Sequence, residues 1–253
     1  MEIKEKAAII PCAGRASRMG NLEKPKALFE IFERPSLEIL IKNLSDEFAH
    51  FYIPINEEDY DRGIYANVLD NNVLDRITFV RSKAGAGDGQ AVLDAIDNFE
   101  GTYTSALICW GDTVIKENSK LKLLLKSFNQ FEPIENILVP LRKVKDPYVT
   151  YIFSGNNLER VAFSRRGENY SEGYTDMSLF LVNPLEIQSA LLSLKTTKSN
   201  QNDEVLNELN FLDLVNFFYA SSTPCKTITF NHEVVLSFNT EFEAKNIEAI
   251  MSS

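Results

Sequence analysis

The chain of 253 residues is short of the groups on which much protein chemistry depends: it has three cysteines, two histidines and one tryptophan. Cys12, Cys109 and Cys225 show no metal-ligand spacing, and an odd number of thiols without a signal-peptide pattern is what a reducing cytoplasm leads one to expect. They read as small buried residues. His50 and His232 have no acidic or cysteine partner nearby in sequence, so neither is given a catalytic role. Long apolar runs are missing as well: Ala7, Ala8, Ile9 and Ile10 are too few to cross a bilayer or to form a signal-peptide core. Cations are in deficit. Lys and Arg number 26 against 36 Asp and Glu, and the net charge of −10 opposes binding to a phosphate polymer. Neither nucleic acid nor membrane is an expected partner, and any anion the chain binds must be met by a local group of cations.

What is present suits one large α/β domain spanning residues 1–253, at 44% hydrophobic and 25% charged. Apolar strands are predicted near 7–10, 50–55, 76–80 and 104–109. They alternate with helical patterns at 36–48, 58–70 and 84–96, the alternation of a doubly wound, mixed but mostly parallel sheet. Ser36 is placed to cap the first of these helices. A helix over 120–131 follows. The texture then changes to short strands at 136–142, 148–153 and 158–163, a small β-rich insertion. Beyond it the pattern predicts a strand over 173–183, a helix opened by Pro184 and a polar loop over 194–203. A helical stretch over 204–220, two strands within 226–238 and a terminal helix capped by Thr240 and Glu243 complete the chain.

Residues 7–28, AAIIPCAGRASRMGNLEKPKAL, carry the strongest signal. A short buried strand ends at Pro11. The small residues Cys12, Ala13, Gly14, Ala16 and Ser17 then let the backbone approach a bulky anion. Arg15, Arg18, Lys24 and Lys26 add four positive charges, a combination suited to a triphosphate. A second small-residue turn, AGAGDGQAV, brings Gly85, Gly87, Asp88 and Gly89 to the start of a helix. A third signal is Gly111-Asp112, just after an apolar strand, where an open α/β sheet places its ligands.

The string P-x-A-G-x-x-S-R-M followed by P-K-x-L resembles the signature of nucleotidyltransferases that activate sugar phosphates and related metabolites, including cytidylyltransferases for phosphorylated alcohols. G-D-G-Q-A-V is similar to that family's base-holding segment, with Asp88 in place of threonine, and N-T-x-x-E at Asn239 to Glu243 is similar to its last motif. The resemblance implies a Rossmann-like nucleotidyltransferase fold of the glycosyltransferase-A type. Residues 1–115 would form the nucleotide half and 116–253 the acceptor half. It implies nucleotide contacts at Pro11, Ala13, Gly14, Arg15, Ala16, Ser17, Gly87, Asp88 and Gly89, with catalytic charge from Arg18 and Lys26. It further implies Mg²⁺ on Asp112 and Asn239, and acceptor contacts at Arg165, Asp176 and Glu208, the last in an E-x-x-x-x-D element ending at Asp213. Asp88 favours CTP, because a carboxylate accepts from the exocyclic amino group of cytosine and repels the carbonyl of uracil or thymine.

The expected activity is transfer of a nucleoside monophosphate from an NTP to the phosphate of a sugar phosphate, a phosphocholine-like alcohol or a phosphorylated amino-acid derivative, in the service of cell-surface polysaccharide precursors. A metal-dependent glycosyltransferase shares a similar core but normally carries two acids around one residue, where this chain has Gly111-Asp112-Thr113. A molybdopterin-type guanylyltransferase, with a related first loop, and a non-catalytic nucleotide-binding regulator are the remaining alternatives. Oligomeric state is not legible from this sequence.

Overall fold

Strand β1 (Ile3–Ile9) and the residue after it set the architecture. Ala7 and Ile9 point into one hydrophobic core, Ala8 and Ile10 into another, and all four are fully buried. A strand apolar on both faces must be covered on both, and it is. The computed structural model describes residues 3–14, 24–199, 208–238 and 240–252. Arg15, Ala16, Ser17, Arg18 and Asn239, named above for the nucleotide and the metal, lie outside the described residues.

The remaining strands are β2 (Glu30–Ile31), β3 (Arg34–Pro35), β4 (Phe51–Asn56), β5 (Ile77–Ser82), β6 (Thr102–Cys109), β7 (Thr113–Ile115), β8 (Ile137–Lys145) and β9 (Val149–Ser154), then β10 (Asn157–Phe163), β11 (Glu172–Asp176), β12 (Leu179–Val182), β13 (Lys226–Thr229) and β14 (Val235–Ser237). The helices are α1 (Ser36–Leu44), α2 (Glu57–Asp61), α3 (Ile64–Val68), α4 (Asn71–Leu74), α5 (Asp88–Asp97), α6 (Asn118–Phe128), α7 (Pro184–Ser199), α8 (Asp213–Ala220) and α9 (Glu241–Met251). The apolar stripes of α1 and α6 cover one face of the sheet, and those of α5, α7 and α8 cover the other.

A mixed ten-stranded sheet runs β10-β9-β11-β8-β12-β6-β1-β4-β5, with β13 added parallel to β8. The stretch β6-β1-β4-β5 is wholly parallel, and β12 joins it antiparallel to β6. From β1 the chain goes outward to β4 and β5, then returns to β6 on the other side of β1. The order therefore switches between β1 and β6, and a crevice opens beyond their carboxyl ends.

Several local expectations are corrected. Ser36 does not cap α1: its hydroxyl is buried and donates to the Ala27 carbonyl at 3.0 Å, tying the helix to the turn that carries Lys26. The helix expected over 58–70 is two short ones broken at Gly63, whose φ of 61° suits glycine. The strand expected over 173–183 is split into β11 and β12, because Ser178 adopts φ 56° and its N–H binds Asp176 Oδ1 at 2.7 Å. The polar stretch after Leu194 is helical as far as Ser199, so the first part of the expected loop belongs to α7. Helix α8 begins only at Asp213, so Glu208 is not helical, as Asn210 already turns its side chain to the Leu212 N–H at 2.9 Å. The terminal helix has its capping box, with Glu243 N–H donating to Thr240 Oγ1 and Thr240 N–H to Glu243 Oε2.

Candidate active site

The loops that follow β1 and β6 pack directly on each other at the switch point. The Cys12 N–H still donates to the Pro54 carbonyl at 2.7 Å, so the first turn of the small-residue loop is held as an extension of β1. On its other side the Pro11 carbonyl accepts from the Gly111 N–H at 3.4 Å. Gly111 is required: a Cβ there would overlap Cys12 Sγ and stand 3.0 Å from the Pro11 oxygen. This close approach brings Lys26, on a 3-10 turn over Lys26–Leu28, to Asp112. Lys26 Nζ lies 2.5 Å from Asp112 Oδ2, with the lysine 19% and the aspartate 26% exposed. The lysine also stands 5.4 Å above the ring of Phe238, which is fully buried. Three distant stretches of chain thus meet at one pair of charges.

Around the pair lies a cleft of about 850 Å³. Pro11, Ala13, Gly14, Lys26, Gly87, Asp88 and Asp112 line it, together with Arg165, Asp176 and Glu208. Gly89 does not face it, and the reason is steric: Gly89 lies against the backbone of residues 209–211, its N–H donating to the Leu209 carbonyl at 2.8 Å. Gly87, at φ 98°, is crowded by the same carbonyl. Asp88 is also differently engaged from the sequence reading. Its Oδ1 accepts from the Phe211 N–H at 2.7 Å and the side chain is half-buried at the cleft wall, so one carboxylate oxygen is turned to protein backbone. Burial pushes its pKa up, with the Phe211 and Gly89 N–H groups opposing.

The far wall comes from the antiparallel half of the sheet. Asp176, at the end of β11, accepts from Tyr151 Oη at 3.1 Å and from Ser178 N–H, while burial raises its pKa. Arg165 stacks 5.3 Å over Phe163 at the end of β10. Arg142, on β8, is bound to Glu233 at 2.7 Å, whose other oxygen holds Lys116 at 2.7 Å. The cleft includes Arg142, whereas Lys143 pairs with Glu172 on the neighbouring strand. Lys83, Trp110, Tyr148 and Asn210 also line the cleft. Lys83 directly follows β5, and a lysine at the carboxyl end of a parallel strand was a usable sign; Tyr148 and Asn210, expected in a strand and a helical stretch, lie on loops just before β9 and α8.

Cys109 and Cys225 are buried as expected, but Cys12 is only partly buried and borders the cleft, because it sits on the loop that leaves β1. His50 Nε2 lies 2.8 Å from Thr78 Oγ1 and the His232 ring packs against Phe230. Burial pushes all three thiols up, Cys225 to about 12.

Residues 8–169 match the sequence profile described as the MobA-like NTP transferase domain. The chain belongs to this family. Solved structures share the fold of this chain over nearly its whole length. A candidate glucose-1-phosphate thymidylyltransferase from Bacillus anthracis aligns at TM-score 0.74 and 16% identity, covering 97% of this chain and 95% of that one. The inositol-1-phosphate CTP transferase from T. maritima aligns at 0.70 and 16%, covering 98% and 95%. HddC from Yersinia pseudotuberculosis, complexed with GMP-PN, aligns at 0.65 and 14%, covering 97% and 99%. No curated protein matches the chain. The Rossmann-like fold expected of the family is present, and among the described residues no helix is long and apolar enough to cross a membrane.

Proposed function

We propose that this domain transfers a nucleoside monophosphate from an NTP to the phosphate of a small phosphorylated metabolite, releasing pyrophosphate. The observation that carries the reading is the meeting of Lys26 and Asp112 at the switch point, inside a cleft with a small-residue loop on one side and arginines on the other. An oxygen of the acceptor phosphate attacks the α-phosphorus, the bond from that phosphorus to the bridging oxygen of the β-phosphate breaks, and pyrophosphate leaves. Both reactants are anions, so positioning and charge neutralisation are the main tasks, and no nucleophilic side chain is needed.

Lys26, with Arg18, offsets charge on the triphosphate, while the backbone at Pro11, Ala13 and Gly14 and the turn at Gly87 border it. Arg165 and Arg142 are the cations for the acceptor phosphate. Asp112 suits Mg²⁺: it is one hard carboxylate, and this ion commonly takes one or two carboxylates and completes its shell with water and substrate phosphates. Among the described residues no group of three or more His, Cys, Asp or Glu is arranged for a metal, which fits an ion shared with substrate better than an all-protein cage. Asn239 is the proposed second ligand. When bound, the ion would draw negative charge from the reacting phosphates.

CTP is the first nucleotide to test, on the likeness to the inositol-1-phosphate CTP transferase; GTP is the second, because HddC holds GMP-PN. A sugar phosphate, a phosphocholine-like alcohol phosphate and a phosphorylated amino-acid derivative are the acceptor classes, in a cytoplasmic route to cell-surface polysaccharide precursors. The test pairs each of the four NTPs with a panel of such acceptors and reads pyrophosphate. Release that requires both reactants supports the proposal. Transfer from a preformed nucleotide sugar without pyrophosphate would replace it with a glycosyltransferase.

A further inference from the structure

Residues 208–212 form a strap along the cleft that turns into α8. Leu209, Phe211 and Leu212 are buried, Phe211 between the rings of Trp110 and Phe180 at 5.7 and 5.3 Å, whereas the less buried Glu208 and Asn210 line the cleft, which Leu212 also borders. The strap is fastened at the entrance to α5. The Leu209 N–H donates to the Ala86 carbonyl at 2.9 Å, the Gly89 N–H returns a bond to the Leu209 carbonyl, and the Phe211 N–H donates to Asp88 Oδ1. Of these three bonds only the last uses a side chain. On the other flank Lys198 binds the Glu208 carbonyl and the Asp213 carboxylate, both at 2.7 Å.

We infer that Asp88 is a positioning residue for the acceptor side of the cleft: it does not choose the base but pins the strap that presents Glu208 and Asn210. The chemistry favours this use. A segment that turns into a helix start has N–H groups with no regular partner, and a buried N–H left unpaired is costly. A carboxylate on the first turn of α5 accepts from the Phe211 N–H, joining strap and helix. Gly87 and Gly89 serve the same junction, because a side chain at either would run into the Leu209 carbonyl. The turn that borders the nucleotide is thereby the anchor of the wall that meets the acceptor, and a change at Asp88 is felt on the far side of the reacting phosphorus.

This rests on the transferase reading of the cleft, and the test separates the two. Asp88→Asn keeps an oxygen for the Phe211 N–H, and Asp88→Ala removes it. Affinities for CTP, UTP, GTP and ATP are measured for both variants, and hydrogen exchange is followed for the backbone of residues 209–212. The expected result is an unchanged rank order of the four nucleotides in both variants. Exchange of the strap rises at least about tenfold in the alanine variant and stays near wild type in the asparagine variant. With the most active of glucose 1-phosphate, inositol 1-phosphate and phosphocholine as acceptor, Asp88→Ala raises the acceptor KM at least about tenfold. Its NTP KM changes less than threefold, and Asp88→Asn restores the acceptor KM. A changed nucleotide order in Asp88→Asn, or strap exchange unaltered in Asp88→Ala, overturns the inference. Should the alanine variant not fold, the asparagine variant still decides through its nucleotide order. A protein that turns over no acceptor sinks the transferase reading and leaves the binding and exchange arms to judge Asp88.

Discussion

Lys26 and Asp112 are 86 residues apart in the chain and 2.5 Å apart in space. Their contact is made possible by a position with no side chain of its own, Gly111, which lets the loop after β6 press against Pro11 and Cys12. Each charge is about three-quarters shielded from solvent, so the pair is screened less than a surface ion pair while remaining open to a ligand.

Because both side chains border the cleft instead of filling a core, replacing either should harm the reaction more than the fold. Lys26→Ala and Asp112→Ala are each expected to lose at least about 100-fold in turnover, the loss typical of removing one preorganised electrostatic group. Their melting temperatures should fall by no more than about 4 °C, the shift produced by roughly 1 kcal/mol in a chain of this size. The double variant should be little worse than the worse single one, since the two groups serve one phosphorus. Pyrophosphate release and a thermal melt check all three statements; full activity in either single variant would remove the pair from the mechanism.

Chelation provides an independent check on Asp112. Removing divalent cations should take turnover to background and Mg²⁺ should restore it, since the ion completes its shell with substrate phosphates. In Asp112→Asn, half-maximal activity should need roughly tenfold more Mg²⁺, the low end of the loss seen on weakening a metal's surroundings. An unshifted Mg²⁺ titration in that variant would place the ion elsewhere.

Gly111→Ala should act through Cys12. The new methyl overlaps Sγ and crowds the Pro11 carbonyl, so the start of the small-residue loop must move, at a cost of about 1–3 kcal/mol. Melting temperature and turnover should both drop. Adding Cys12→Ala should recover part of each, because it removes the first clash and leaves the second; no recovery in the double variant would mean that the carbonyl contact dominates.

The Lys116–Glu233–Arg142 link gives a pH signature. Burial alone would push Glu233 up, but hydrogen bonds from Lys116 and Arg142 outweigh it and the carboxyl lies below its usual value of 4.5. A folded pKa below the unfolded one contributes stability that is present above 4.5 and is lost as the pH falls through the folded value. Glu233→Gln should therefore lower the melting temperature by about 1–3 °C at pH 7, the scale of a partly exposed ion pair. The gap should close as acid titrates the wild type below pH 4.5; a constant gap would show that the loss is one of packing. Arg142 should become less ordered in the variant, with a higher acceptor KM.

Much of the fold was legible because burial writes itself into periodicity. Ala7 to Ile10 could only be a strand covered on both sides, Leu37, Leu40, Ile41 and Leu44 could only be one stripe of a helix, and Thr240 with Glu243 specified a cap. What failed was local and polar. Ser36 looked able to cap α1 and instead bonds the Ala27 carbonyl, while Asp88 and Asp176, which do line the cleft, also carry backbone hydrogen bonds that the sequence did not indicate. A polar side chain has many possible partners within a few ångströms of its place in the fold, and sequence spacing ranks none of them.

The chain itself determined the order of the strands and helices, the small-residue loops at strand ends and the types of charge they carry, because these depend on contacts between near neighbours and on which faces must be dry. The tertiary structure alone decided that Lys26 meets Asp112, that Arg142 reaches the cleft and Lys143 does not, and that the strap from Glu208 to Leu212 packs against the glycine turn. Those outcomes depend on where the sheet reverses its order between β1 and β6 and on how closely two backbones can pass at Gly111, Gly87 and Gly89. Both are consequences of packing at long range in sequence.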